Sequence, residues 1–192
     1  MVESGAYLFY WMNRYHGSNT KSIAYGVFRN KTTNELVAVF STHYPLMADS
    51  YKTQSRDGRD YSNCTDKVDG AAWRNGATQE VIKQVELLRA AYPGIPVVGG
   101  GDLNATASEA SIRTLENHAL LTNASVAAPV GMRDTGSSFH DYGKKPGAAN
   151  NAIDHLFVSE DKVSVLRHRI VSDTLTVNGS DHCPVVIDIA LK

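Results

Sequence analysis

Asp102 and Asn104 stand two residues apart in Gly101-Asp102-Leu103-Asn104, directly after the apolar run Pro96-Val97-Val98-Gly99-Gly100. In extended backbone, residues i and i+2 point to the same side. A carboxylate that can hold a hard cation or take a proton is therefore offered beside an amide that both donates and accepts. Valines running into three glycines read as a buried strand that stops at a site, and glycine lets another group approach because it has no Cβ. Three further stretches follow the same plan. His43 closes Ser41-Thr42-His43-Tyr44, where Pro45 ends strand pairing. Asp154 lies near the start of Ile153-Asp154-His155-Leu156-Phe157-Val158, and Asp181 and His182 lead through Cys183-Pro184 into the last apolar run. Taken singly, a histidine at a strand end is most often a hydrogen-bonded structural residue, and an aspartate near a strand start caps a turn. Together, carboxylate, amide and imidazole groups at four strand ends suit a metal-assisted hydrolase. Mg²⁺ takes oxygen ligands and keeps several waters, so a few carboxylates plus a substrate phosphate suffice.

The elements that must position these groups alternate along the chain. Residues 6–12 are aromatic and extended. Residues 23–28 and 36–44 read as two strands joined by the turn Lys31-Thr32-Thr33-Asn34, an antiparallel hairpin. Residues 47–70 are polar and aperiodic, carry Asp49, Asp57, Asp60, Asp66 and Asp69, and read as a long surface loop. The spacing predicts a helix over 73–92, with Val81, Ile82, Val85, Leu88 and Tyr92 on one face and Glu80, Lys83, Gln84 and Arg89 on the other. Pro93-Gly94 stops it, and the strand 95–100 follows at once. Ser108 is the expected cap of a short helix reaching about Asn117, with Glu109 in its first turn. Strands are expected at 153–158, 163–171 and 185–191, after a turn-rich stretch over 135–151. With no repeats and no linker, this is one domain, 1–192, of alternating strands and helices.

Composition narrows the partners. With 192 residues, net charge −1 and 20% charged residues, the chain has no bulk positive field of the kind a non-specific DNA binder uses. No apolar run approaches the ~20 residues of a membrane span, and Met1-Val2-Glu3-Ser4-Gly5 has neither the basic nor the apolar region of a signal peptide. Asn30, Asn63, Asn104, Asn123 and Asn178 begin Asn-x-Ser/Thr triplets, which leaves a secreted form open. Cys64 and Cys183 lack metal-ligand spacing and read as structural. A monomer is expected.

Ser41-Thr42-His43, Gly101-Asp102-Leu103-Asn104, Ile153-Asp154-His155-Leu156-Phe157 and Ser180-Asp181-His182-Cys183-Pro184-Val185 resemble, in order, the signatures of the endonuclease/exonuclease/phosphatase superfamily. The resemblance covers about residues 23–191. It implies an α/β (α+β) four-layer sandwich, two mostly antiparallel sheets flanked by helices, and metal-dependent phosphoester hydrolysis by in-line attack of water. The implied cofactor is Mg²⁺, with Mn²⁺ or Ca²⁺ as alternatives. The implied substrate is a phosphoester in a nucleic acid, nucleotide, inositol phosphate or phospholipid headgroup. By the same resemblance, His182 is the base or charge partner at the phosphate, and Asp154 fixes its tautomer. Asp102 orients or deprotonates water, and Asn104 and His43 bind phosphate oxygens. Asp181 and Asp102 ligate metal, Arg74 contacts phosphate, and His155 is structural. One departure accompanies these matches. The family carries a metal-binding Glu on an early strand, whereas here only Glu3, expected in a frayed terminus, and Glu35, in the hairpin turn, precede His43. The chain thus resembles the later two-thirds of such a domain, its first strands missing, and the other outcome is an inactive relative that keeps a phosphate-binding groove.

Overall fold

The computed structural model describes residues 1–9, 21–45, 70–144 and 152–192. Its organising element is a six-stranded sheet in the order β1-β2-β3-β4-β6-β5. The strands are β1 Glu3–Leu8, β2 Ser22–Arg29, β3 Leu36–Thr42, β4 Val97–Asp102, the two-residue β5 Thr122–Asn123 and β6 Asp154–Val158. Only β3 and β4 run parallel, the arrangement that needs a crossover such as the helix between them; the other pairs are antiparallel. β7 Val163–Ile170 and β8 Val185–Leu191 form a separate antiparallel pair.

The joining helix is α1, Gly70–Ala91, which ends before Gly94 at φ 78°, a left-handed turn that glycine adopts freely. Its Trp73, Ala77, Val81, Val85 and Leu88 pack with α2, Ala110–Glu116, onto one face of the large sheet, burying Ile23, Val27, Phe40 and Val97. Gln84, expected on the solvent side, is 9% exposed and so belongs to the buried side of the helix. The opposite face carries a second cluster: Val98, Leu156 and Val158 meet Val163, Val165, Ile187 and Ile189 of the small sheet and α3, Ala124–Ala127. Helices, large sheet and small sheet are thus stacked as in the expected sandwich, with the second sheet described by two strands. Among the described residues no helix is long and apolar enough to cross a membrane.

Several sequence expectations need correction. The first strand is Glu3–Leu8, shifted towards the terminus from the aromatic stretch; residues 10–12 of that stretch lie outside the described residues. Glu3 is not frayed: it pairs with Val27 and accepts hydrogen bonds from the Tyr25 and Tyr92 hydroxyls at 3.0 and 2.6 Å. The cap of α2 is Glu109 rather than Ser108, whose hydroxyl meets Thr106 instead. The six-residue helix α4, Thr174–Gly179, was not foreseen; Asp173 caps it by accepting from the Thr176 amide. The long loop of 47–70 and Cys64 fall almost wholly outside the described residues, and Cys183 is a buried free thiol.

Candidate active site

Strand register sets out a row of polar side chains across one end of the large sheet. Ser41 pairs with Gly100, so His43, two residues on, comes beside Asp102. Asp102 in turn pairs directly with Asp154 across β4 and β6. Two like charges directly opposite on one face repel. His182, arriving from the lead-in to β8, relieves this: its Nδ1 lies 2.8 Å from Asp154 Oδ2, and its Nε2 lies 3.9 Å from Asp102 Oδ2.

The glycines ahead of Asp102 are required by this closeness. A Cβ on Gly100 would stand 1.8 Å from the His155 carbonyl oxygen, and one on Gly101 2.0 Å from that of Thr42. Both sit at positive φ, 157° and 151°, as only glycine does without strain.

Asp102 is held from several sides. His43 Nε2 is 3.1 Å from its Oδ2, and the Asn104 amide N–H donates to its Oδ1 at 2.9 Å. Asn104, at φ 47°, folds back so that its Nδ2 donates to the Tyr44 carbonyl at 2.9 Å, and this nitrogen also lies 3.2 Å from His43 Nε2. One ring nitrogen cannot donate to Asp102 and accept from Asn104 at once. The carboxylate only accepts, so Nε2–H belongs to Asp102, and the second Asn104 N–H donates to Asp102 Oδ2 at 3.4 Å.

Protonation follows from these contacts. Burial disfavours the Asp102 anion, but the hydrogen bonds from His43 and the Asn104 backbone and the nearby imidazoles outweigh it, so its pKa falls below the ordinary carboxylate value. Burial likewise disfavours the His182 cation, yet the Asp154 hydrogen bond and the charges of Asp154, Asp102 and Asp181 prevail, and its pKa rises. With Nδ1–H donating to Asp154, the tautomer leaves Nε2 towards Asp102. Side-chain exposure grades the row: Asp154 17%, Asp102 19%, His182 26% and His43 52%. Beside it opens a cleft of about 480 Å³ whose walls include Gly101, Asp154, Thr176, Ser180 and His182.

The residues that the motifs named are thus brought together with one exception, Arg74. Asp181 lies near enough for its charge to raise the His182 pKa, and its backbone carbonyl accepts from the His140 and Asp141 amides. Arg74 turns inward, its side chain 4% exposed and its Nη2 2.6 Å from Glu109 Oε2, rather than presenting itself to a phosphate. His155 is structural as expected, buried with Nε2 on the Ala105 carbonyl at 2.9 Å. Sequence reasoning missed the groups that seat the dyad. The Ser138 hydroxyl accepts from the Ile153 and Asp154 amides, and Phe139 meets the His182 ring edge-on at 5.0 Å. It also missed Lys21, half-buried at the head of β2; burial lowers its pKa while the Asp102 charge pulls it back up. The polar-aromatic run Ser137-Ser138-Phe139-His140 was the only signal for the first two, and Lys21 had none. Asn123 begins one of the glycosylation triplets but is 1% exposed and caps α3, so its amide is unavailable to a glycan.

Among the described residues no group of three or more His, Cys, Asp or Glu is placed to hold a metal ion. Glu3 and Glu35 do not change this. Both lie at the far end of the sheet, Glu3 opposite Val27 and Glu35 ahead of β3. The described donor set therefore does not fit a metal caged by the protein.

No protein-family model and no curated protein matches the sequence. Solved structures do. The endonuclease/exonuclease/phosphatase from Bacteroides vulgatus superposes with TM-score 0.75 at 19% identity over 99% of this chain and 65% of its own. The mannosyl-6-phosphatase of Bacteroides thetaiotaomicron gives 0.74 at 17%, over 99% and 66%. The human Nocturnin catalytic domain with bound sulfate gives 0.63 at 15%, over 91% and 54%. The chain spans about two-thirds of the length of the first two. Sheet order, layers and superposition agree: this chain has the fold of the endonuclease/exonuclease/phosphatase structures.

Proposed function

We propose that the chain is a phosphoester hydrolase whose phosphate seat lies over the ends of β3, β4 and β6. The observation that carries this reading is the Asp102 carboxylate flanked by two imidazoles, one of them backed by Asp154. Phosphoryl transfer needs an oriented nucleophile, neutralisation of the phosphoryl oxygens and in-line geometry, and little else from the protein. Asp102, ionised well below neutral pH, orients the attacking water by accepting its hydrogen. His182, more readily protonated than free imidazole, offers Nε2–H to a phosphoryl or leaving-group oxygen, while Asp154 neutralises the ring and fixes its tilt. His43 and the side-chain amide of Asn104 face the remaining oxygens. The fold neighbours named as phosphatases support the same coarse activity.

Mg²⁺, or Mn²⁺ or Ca²⁺, would enter with the substrate phosphate rather than sit in a protein cage, with Asp102 and Asp181 as the carboxylates available to it. The substrate belongs among nucleic acids, nucleotides, inositol phosphates and phospholipid headgroups, and the net charge of −1 favours a small phosphoester over duplex DNA.

The absence of a three-ligand group among the described residues supports a second reading, a groove that binds phosphate without turning it over. Hydrolysis of bis-p-nitrophenyl phosphate with and without Mg²⁺, beside Asp102→Ala and His182→Ala, separates the two. The first reading expects activity that falls at least about 100-fold in each variant. Inorganic phosphate binding lost in both variants, with no hydrolysis by the parent chain, establishes the second.

A further inference from the structure

Asn104 sits at a left-handed φ of 47°, and the loop after it is braced from the helix layer. Glu109, at the cap of α2, accepts the Thr106 amide N–H with Oε1 at 3.1 Å and meets Arg74 Nη2 with Oε2 at 2.6 Å. Arg74 comes from the first turns of α1, one turn before Thr78, whose hydroxyl donates to the hydroxyl of Tyr44 at 3.1 Å. Tyr44 is the residue whose carbonyl receives the Asn104 amide. On the other side of the loop, His155 donates Nε2–H to the Ala105 carbonyl.

The arrangement is costly in isolation. Among the described residues Arg74 Nε and Nη1 are buried without a hydrogen-bond partner, and the guanidinium spends its remaining nitrogen on Glu109. A buried cation held so sparingly is poor stabilisation compared with an apolar replacement. Unsatisfied or strained groups of this kind collect where a site must be held in one geometry. The geometry points to Arg74, acting through Glu109, as a positioning residue that fixes the Asn104 loop and so aims the Asn104 amide at the space beside Asp102. The competing account is local: the Asn104 amide bonded to Asp102 Oδ1 closes a turn that could hold the conformation unaided.

The inference rests on the phosphate-seat reading for its kinetic readout only. The experiment therefore follows the Asn104 side-chain NH₂ cross-peaks by ¹⁵N NMR, assigned by their loss in Asn104→Asp, together with kcat and KM on bis-p-nitrophenyl phosphate. The double variant Arg74→Met with Glu109→Leu removes both charges and leaves neither buried alone. It is expected to melt as high as the parent, to shift the Asn104 cross-peaks towards those of a free amide, and to lose about 10-fold in kcat with KM within about twofold. Arg74→Lys, which keeps the charge but not the fork, serves if the double variant does not fold, and should show the same shift at smaller size. Cross-peaks unmoved in a folded variant overturn the inference and leave the local turn sufficient. A parent chain without hydrolysis defeats the activity reading alone, since the NMR readout stands without turnover.

Discussion

One row of side chains runs across the large sheet from Gly26 through Val39 and Val98 to Val158, on the face that also carries His43, Asp102 and Asp154. Along it the same residue type meets opposite surroundings. Val158 is fully buried under the small sheet and α3, whereas Val39 is 40% exposed, and Leu8 and Phe28 on the same face are 38% and 41% exposed. The half of the face over β4 and β6 is covered, and the half over β1 to β3 is open. The functional row divides in the same way: Asp154 lies beneath His182, while His43 stands at the open end with half its side chain in solvent. A second layer, more than strand sequence, decides which polar groups become a fixed dyad and which remain accessible to a ligand.

Matched glycines should break the comparison most sharply. In Gly100→Ala the new Cβ meets the His155 backbone oxygen at 1.8 Å, which no side-chain movement relieves, and a loss of about 3 kcal/mol or more is expected in urea denaturation. In Gly26→Ala the contact at 2.8 Å is with the exposed Phe28 ring, which can swing away, and the loss should stay within about 1 kcal/mol. Equal losses at the two positions would mean that the open half is as rigidly packed as the covered one.

The two histidines sharpen the same contrast in catalysis. His182→Ala removes the oriented dyad and should cost at least about 100-fold in kcat/KM. His43→Ala removes a half-exposed donor and should cost nearer 10-fold, expressed mainly in KM. A larger effect at His43 would move the chemistry to the open end.

The matched valines come next. Val158→Ala should cost about 2 kcal/mol, since two buried methyl groups leave a cavity. Val39→Ala should stay within about 0.5 kcal/mol by the same thermal or urea measurement.

The smallest effect is pH-dependent. The pKa of His182 is raised in the folded state, so the dyad stabilises fully below the ordinary imidazole value of 6.5, and that contribution fades as pH rises through the folded value. The stability gap between the parent and His182→Ala should therefore narrow from pH 6 towards pH 8. Asp102 has the opposite sign: its lowered pKa stabilises above the ordinary 3.8 and is lost as pH falls below it. A gap that widens on raising the pH would contradict the Asp154–His182 pairing.

The sequence made the strand-borne part of this molecule readable. Alternation and turn residues placed β2, β3, β6, β7 and β8 to within about two residues, and the helix stripe of Val81, Val85 and Leu88 pointed to the sheet. Four short motifs, each at a strand end, named His43, Asp102, Asn104, Asp154 and His182 before any distance was known. Those features are local: they depend on side-chain period, on where glycine and proline interrupt it, and on which polar types stand at the break. Partner identity is not local. That Asp102 faces Asp154 across a register, that His182 descends from a different sheet to separate them, and that Arg74 is spent on Glu109 are set by which surfaces pack together. Ser138 as the seat of Asp154 depends likewise on a backbone amide brought near from 16 residues away. The chain carried the chemistry in its residue types, and only the stacking of one sheet on another determined which of them meet, because burial and charge repulsion act between elements that the sequence keeps far apart.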